Sequence, residues 1–237
     1  MDIHERLERS SVAKAVLAVL IFGLIFGGWF ALERHRALSA TLPNPPQRPE
    51  ACALWFVGSS SIHRWTTLDR DMAPWRAYNR GIDNSIFAAI LPRFGNAADD
   101  ARPVAIILYA GENDIARDIP VRAVIRNLAA FLDLRARIMA GVPVLVLSMK
   151  PSPGRRAYLR EQRLYNDAAR RLITGSKGAY FADITTPLLK GGKMGDYYRA
   201  DEVHMNAAGY RIWAGVVRQR LREALPAATI ARCEASR

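Results

Sequence analysis

The chain has 237 residues, half of them apolar, which is enough for one sizeable core and too few for two ordinary domains with a linker. It has two cysteines, no zinc-type Cys/His spacing, no internal repeat and no low-complexity tract, which argues against metal-built, solenoid and disordered classes. The formal net charge is +12, and because Arg6, Arg9 and Lys14 balance Asp2, Glu5 and Glu8, the whole excess lies beyond residue 32. Such a surface favours anionic headgroups, nucleic acid or acidic glycans. No nucleic-acid motif accompanies it, so no nucleic-acid partner is expected, and arginines such as Arg160, Arg163, Arg170 and Arg171 read as solvated helix faces.

From Ala15 to Leu32 the chain reads AVLAVLIFGLIFGGWFAL, eighteen residues without a charge. At about 1.5 Å per residue a helix of that length nearly crosses a hydrocarbon core, so residues 15–32 are expected to be a transmembrane signal anchor. Trp29 suits the interface, and Lys14 and Glu33-Arg34-His35-Arg36 form polar flanks. The stretch exceeds an ordinary cleavable apolar region; cleavage after Ser39, in Ala37-Leu38-Ser39, is the competing reading. Three Lys/Arg before the span against Arg34 and Arg36 after it give a small positive-inside bias, which keeps residues 1–14 in the cytoplasm and sends the rest outward. Residues 33–50 hold Pro43, Pro45, Pro46 and Pro49 and are expected to form an extended linker, at roughly 3 Å per residue, holding the folded part off the bilayer. That leaves 51–226 as the folded domain and 227–237 as a C-terminal tail.

Beyond the linker, short apolar runs alternate with segments of helical period. The runs are Ala53–Val57, a brief Ala77–Asn79, Val104–Tyr109, Val142–Ser148 and Ala179–Ala182; helices are expected near Asn84–Phe94, Pro120–Ala140, Arg155–Ile173 and Asn206–Leu225. Strands as uniformly apolar as VAIILY and VPVLVL imply a parallel sheet covered on both faces, the α/β class. Ligands in such folds bind at the carboxyl ends of strands, so the polar residues after each run are the ones to inspect.

The first run breaks at Gly58 into Ser59-Ser60-Ser61, where a serine would sit at the cleft with its N–H at a helix start, although a triple serine is by default a cap and turn. The second run ends in Asn79-Arg80-Gly81, where glycine permits close approach and an exposed N–H. The third ends in Gly111-Glu112-Asn113-Asp114, where the Asn113 amide can face an oxyanion or simply make a turn. Near the C-terminus, Asn206 is a good N-cap, so His204 lies on the loop before the last helix with Asp201 three residues back. A carboxylate so placed fixes the imidazole tautomer and supports the imidazolium that forms when the ring takes a serine proton. His63, three residues from Ser60, competes as base, but it points along a helix flank and has no carboxylate at fixed spacing. Lys150-Pro151-Ser152-Pro153 reads as a loop that shapes the cleft.

Taken together, GSSSI, NRG, GEND and DEVHMNAAGY stand in the order and loop contexts of the SGNH/GDSL hydrolases, and the chain resembles that family over about residues 51–225. The resemblance implies a flavodoxin-like three-layer α/β/α sandwich with a five-stranded parallel sheet. It implies Ser60 as nucleophile, His204 as base and Asp201 as its orienting acid, with an oxyanion hole from Ser60, Gly81 and Asn113. It implies a serine esterase working through an acyl-enzyme, with no cofactor and no metal. Ser59 stands where many relatives have Asp, so the choice among the three serines rests on alignment to Gly58; Asp83 and Asn84 replace small residues of the pocket rim. The expected partner is a carboxylic ester, an envelope lipid or an O-acylated glycan, handled by a domain on the periplasmic side of a bacterial inner membrane. An envelope O-acyltransferase using the same residues, and a non-enzymatic module docking on anionic polymer, are the alternatives. Cys52 precedes the first strand and Cys233 follows a last helix running back antiparallel to the sheet, so a Cys52–Cys233 disulfide is expected at the edge opposite the site.

Overall fold

The computed structural model describes residues 3–98 and 100–235 and divides into two compact units, Met1–Ala40 and Thr41–Arg237. Met1 and Asp2 of the expected cytoplasmic segment, and Ser236 and Arg237 of the expected tail, lie outside the described residues. The first unit is one helix, α1 (Ile3–Ser39), which contains an apolar stretch long enough to cross a membrane, Val16–Glu33. Its exposed side chains include Phe22, Leu24, Ile25 and Phe26, which point in successive directions around the axis. An apolar surface on all sides, rather than a stripe, suits lipid and not one face of a globular core.

The second unit contains β1 (Ala53–Gly58), α2 (Ser60–His63), α3 (Leu68–Met72), β2 (Arg76–Gly81), α4 (Phe87–Gly95), β3 (Ala105–Tyr109), α5 (Glu112–Ile115), α6 (Val121–Ile138), β4 (Val144–Leu147), α7 (Leu159–Thr174), β5 (Ala179–Ala182), β6 (Leu189–Lys190), β7 (Lys193–Met194), α8 (Ala207–Ala224) and α9 (Ala227–Ala235). The first five strands form one parallel sheet in the order β2-β1-β3-β4-β5, and β6 and β7 form a separate antiparallel hairpin. Alternation along each strand divides the apolar side chains between two cores. Trp55, Val57, Ile106, Leu108, Val144 and Val146 pack with α4, α6 and α7 on one face. Leu54, Phe56, Ile107, Tyr109, Leu145 and Leu147 pack with α2, α3 and α8 on the other. This is the expected three-layer α/β/α sandwich, and its register sets Gly58 level with Gly81 and with Tyr109, so β1, β2 and β3 end together.

Helix starts follow local backbone limits. Near Asn84 a helix is delayed to Phe87 because Asn84 has φ 52, a left-handed conformation that no α-helix accommodates. Near Arg155 the chain first makes a 3-10 stretch, Pro153–Tyr158, interrupted at Arg155 (φ −118, ψ 24), and α7 begins only at Leu159.

The extended linker expected over 33–50 is not what forms. Helix α1 runs on to Ser39, and Leu42 is then buried in the core. The cause is Arg80, wholly buried on strand β2 and stacked 4.0 Å over the Trp55 ring. Its guanidinium needs acceptors there, and it finds Leu42 O at 3.0 Å, Pro43 O at 3.1 Å and the Asp100 carboxylate at 2.5 Å. Asn44 adds a bond to Asn79 O at 2.7 Å, so residues 42–44 belong to the domain and not to a spacer.

The expected tail also folds. Pro226 O accepts from Thr229 N (2.9 Å) and Ile230 N (3.1 Å), which starts α9 and buries Cys233 against the second core. Cys233 is bonded to Cys52, with Cα atoms 5.5 Å apart across a separation of 181 residues. Closing so long a loop restricts the unfolded chain, so Cys233→Ser should lower the free energy of unfolding by about 2–5 kcal/mol in oxidised protein. Urea unfolding of wild type and variant, each with and without reductant, checks this; coincident curves in all four would mean the bond contributes nothing.

Candidate active site

At the carboxyl edge of β1, Ser59 holds extended backbone and Ser60 opens the four-residue α2. Ser60 Oγ lies 2.9 Å from His204 Nε2, and His204 Nδ1 lies 2.7 Å from Asp201 Oδ2. An ionised carboxylate only accepts, so Nδ1 carries the proton, Nε2 is the acceptor, and the Ser60 hydroxyl donates to it. Of the three serines, Ser60 is the one that reaches the ring: Ser61 uses its carbonyl to accept from Tyr210 Oη at 2.9 Å, and Ser59 N donates to Tyr109 O at 3.2 Å. His63 is exposed at the end of α2.

The loop that carries Asp201 and His204 is tightly turned. Glu202 stands at φ 58, uncommon for a residue with a side chain, and this turn lets Asp201 Oδ1 accept from both Val203 N (3.0 Å) and His204 N (2.9 Å). Partial desolvation pushes the Asp201 carboxyl upward, but the hydrogen bonds from the His204 backbone and ring and from Val203 N outweigh it and hold the group down at about 2. Asn206 then caps α8, accepting from Ala208 N and Gly209 N, which fixes the helix start three residues beyond His204.

The other expected site residues lie at the same sheet edge. Gly111, at φ 101, begins the turn into α5; a Cβ there would also stand 2.6 Å from Val124 Cγ1 and 2.7 Å from Met149 Cε, so only glycine fits. Asn113 donates one amide hydrogen to Ser85 O at 3.0 Å and accepts from Arg155 Nη2 at 3.4 Å, which leaves its second amide hydrogen for a ligand. Gly81 differs from expectation. The close approach is present, since a Cβ would meet His63 N at 2.3 Å, but the Gly81 N–H is donated to Asn79 Oδ1 at 3.1 Å and is not exposed. Asn79 itself is held by its amide, which donates to Ile62 O at 2.7 Å.

Three charged side chains beside the site carry no local signal in the sequence. Glu112 and Lys150 form a buried pair, with Lys150 Nζ 2.6 Å and 2.8 Å from the two carboxylate oxygens and Tyr109 Oη donating to one of them at 2.7 Å. Burial pushes the Lys150 ammonium below its ordinary value while Glu112 pulls it back up. The pair bolts the Asn113 turn to the loop after β4, so Lys150-Pro151-Ser152-Pro153 is more than a loop that shapes the cleft. Arg64, the residue capping α2, stands 3.4 Å from His204 Nδ1 and 3.7 Å from Asp201 Oδ2. It also pairs with Asp83 at 3.3 Å, and that contact holds the Asp83 carboxyl below its usual range. No spacing rule links Glu112 to Lys150 or Arg64 to Asp201, so only the fold brings them together.

The sequence profile of the GDSL-like Lipase/Acylhydrolase family matches residues 55–212. No curated protein matches the chain. Among solved structures, a Bacteroides fragilis protein whose assignment as an acylhydrolase is provisional is 20% identical, with a TM-score of 0.66 over 84% of this chain and 99% of that one. A GDSL-like lipase from Bacteroides thetaiotaomicron is 22% identical, with a TM-score of 0.60 over 81% and 98%. A carbohydrate esterase family 3 protein from Talaromyces cellulolyticus is 16% identical, with a TM-score of 0.56 over 72% and 96%. At these identities the likeness is one of fold.

Proposed function

The chain belongs to the GDSL-like lipase/acylhydrolase family and is an ester-bond hydrolase, and from that premise we propose that Ser60 is its nucleophile, His204 its general base and Asp201 the group that orients the base. The observation that carries this reading is the continuous line of hydrogen bonds from Ser60 Oγ to His204 Nε2 and from His204 Nδ1 to Asp201 Oδ2. Ser60 Oγ attacks the ester carbonyl as its proton passes to Nε2. The tetrahedral intermediate collapses, His204 gives that proton to the departing alcohol, and an acyl group remains on Ser60. A water molecule, deprotonated by His204, then attacks the acyl-enzyme and releases the acid. The steps balance without a cofactor.

The developing oxyanion is held by the Ser60 N–H and the free hydrogen of the Asn113 amide. Gly81 can add a donor only if Asn79 releases its N–H. Purified protein should therefore hydrolyse short-chain aryl esters and label with a fluorophosphonate. Ser60→Ala should abolish both, and Asn113→Ala should lower kcat by roughly 10²–10³. Labelling that survives Ser60→Ala and is lost instead in Ser59→Ala or Ser61→Ala would move the nucleophile.

Only neutral His204 can accept the serine proton, so kcat/KM should rise with pH. Asp201, held at about 2, stays charged over the whole working range and adds no second ionisation. A profile measured over roughly pH 4–9 should thus show an acid limb of unit slope; a slope of two would mean that a second group, Asp201 foremost, titrates with it.

The substrate is a carboxylic ester of the cell envelope, a lipid or an O-acylated glycan, reached from an uncleaved anchor at Val16–Glu33 with the catalytic domain on the periplasmic side. Support comes from the charge bias across that helix and from the Cys52–Cys233 bond, which belongs to an oxidising compartment. Alkaline phosphatase fused after Arg237 should be active in cells. A fluorescent protein in that position that glows in the cytoplasm would refute the orientation.

A further inference from the structure

Beyond Ser60, the carboxyl edge of the sheet holds a second concavity. It has a volume of about 620 Å³ and lies where β4 and β5 end, between α7 and the β6–β7 hairpin. That is the size of an ordinary small-molecule site. Leu159, Gln162, Arg163 and Asn166 line it from α7 at spacings of three and four, so one face of that helix forms a wall. The catalytic residues are absent from its lining. The segment Lys150–Arg155 stands between, with Lys150 bound to Glu112 and Arg155 touching Asn113.

Three features of the lining point to one kind of ligand. Met149, Leu159, Leu189 and Met194 give an apolar surface of flexible, polarisable side chains. No aromatic ring joins them among the described residues, so the stacking platform a sugar would use is lacking. Arg156, Arg163 and Lys193 add three cations, and among the described residues none of them is in an ion pair and no carboxylate lines the cavity. Gln162 is 3% exposed, yet neither its Oε1 nor its Nε2 has a hydrogen-bond partner among the described residues. Asn166, one turn further on, shows the contrast: its amide is spent in both directions on the Met149 backbone, at 2.7 Å and 3.1 Å. A buried amide left open at both atoms calls for a group that donates and accepts at once, which an ester does not and an amide or a hydroxyl does.

We propose that this cavity binds a single acyl chain joined through an amide or hydroxyl-bearing linkage to an anionic headgroup. The chain lies along the methionines and leucines, the linkage meets Gln162, and the head sits among Arg156, Arg163 and Lys193. The site is separate from the bond-cleaving centre and does not depend on the roles assigned to Ser60, His204 and Asp201.

N-Octanoylglycine carries all three elements and has no ester to cleave, so its binding can be read apart from catalysis. The full chain in phosphatidylcholine nanodiscs, dialysed against the labelled compound with empty nanodiscs subtracted, should bind it saturably at one per chain. Ser60→Ala should bind equally, so that failure of the nucleophile assignment and failure of this proposal give different results. Gln162→Met, which keeps volume, should weaken binding about tenfold, and Arg156→Ala with Arg163→Ala together by a similar factor. The uncharged N-methyloctanamide should bind about tenfold more weakly than the glycine conjugate. Aryl-ester hydrolysis by the Gln162 variant should match wild type and certify its fold. Absence of saturable binding, equal affinity for the neutral amide, or affinity unchanged in both variants would each overturn the proposal.

Discussion

The hydrogen bond from Ser60 to His204 joins residues 144 positions apart, and the architecture at the carboxyl edge of the sheet is what holds its two ends in reach. One end is set by the sheet, since β1 finishes level with β2 and β3 and Ser60 follows after Ser59 alone. The other is set by α8, whose Asn206 cap determines where the loop carrying His204 stops. The two are then tied to each other. Tyr210 of α8 donates to Ser61 O, and its ring stacks 4.8 Å from Trp65, which in turn meets Trp213 edge-on at 6.0 Å. Aromatic contacts of this kind add to the area they bury. The serine and the histidine thus ride on one packed body, and because an ångström of misplacement costs orders of magnitude in rate, the proposed chemistry depends on that rigidity.

Buried charges perform the same tying function at other points of the sheet. Glu112 with Lys150 joins the turn after β3 to the loop after β4; Arg80 joins edge strand β2 to Leu42, Pro43 and Asp100. Arg135 of α6, buried against Gly178, donates to Val142 O and Lys177 O just before β4 and β5. Lys150 and Arg80 lose their hydration, and pairing with Glu112 and Asp100 roughly offsets that loss, whereas Arg135 has backbone carbonyls as its acceptors, so the gain is in geometry more than in stability. The consequence for the site is direct: the Asn113 turn cannot shift without breaking the Lys150–Glu112 contacts.

Most of this was legible in the sequence where the signal is local. Strands such as Ala105–Tyr109 are apolar on both faces and so announce a covered parallel sheet, and Asn206 marks the start of α8 by its own cap chemistry. What the sequence hid depends on partners far along the chain. Residues 42–44 look like a spacer until the buried Arg80 demands their carbonyls. The segment after Pro226 looks like a tail because its one buried residue among those described, Cys233, has its reason for burial at Cys52. Gly81 reads as an exposed donor because nothing local reveals that Asn79, two residues back, turns its side chain onto that N–H.

The electrostatics around His204 follow from the same geometry. In the proposed mechanism, proton transfer from Ser60 would place a positive charge on the ring, which Asp201 favours and Arg64, 3.4 Å from Nδ1, opposes. A lone cation so close would work against the step. Arg64 is not alone, because Asp83 takes Nε and Nη2 at 3.3 Å and 3.4 Å, and that carboxylate offsets the charge the ring would otherwise feel. What remains of Arg64 is its reach: it contacts the acid on one loop and Asp83 on another, while Arg199 donates to its carbonyl at 3.2 Å. The guanidinium therefore separates two carboxylates that would repel each other and fastens α2, the segment after β2 and the His204 loop into one frame. Its charge is largely spent within that frame, and Asp201 is left to act on the imidazole.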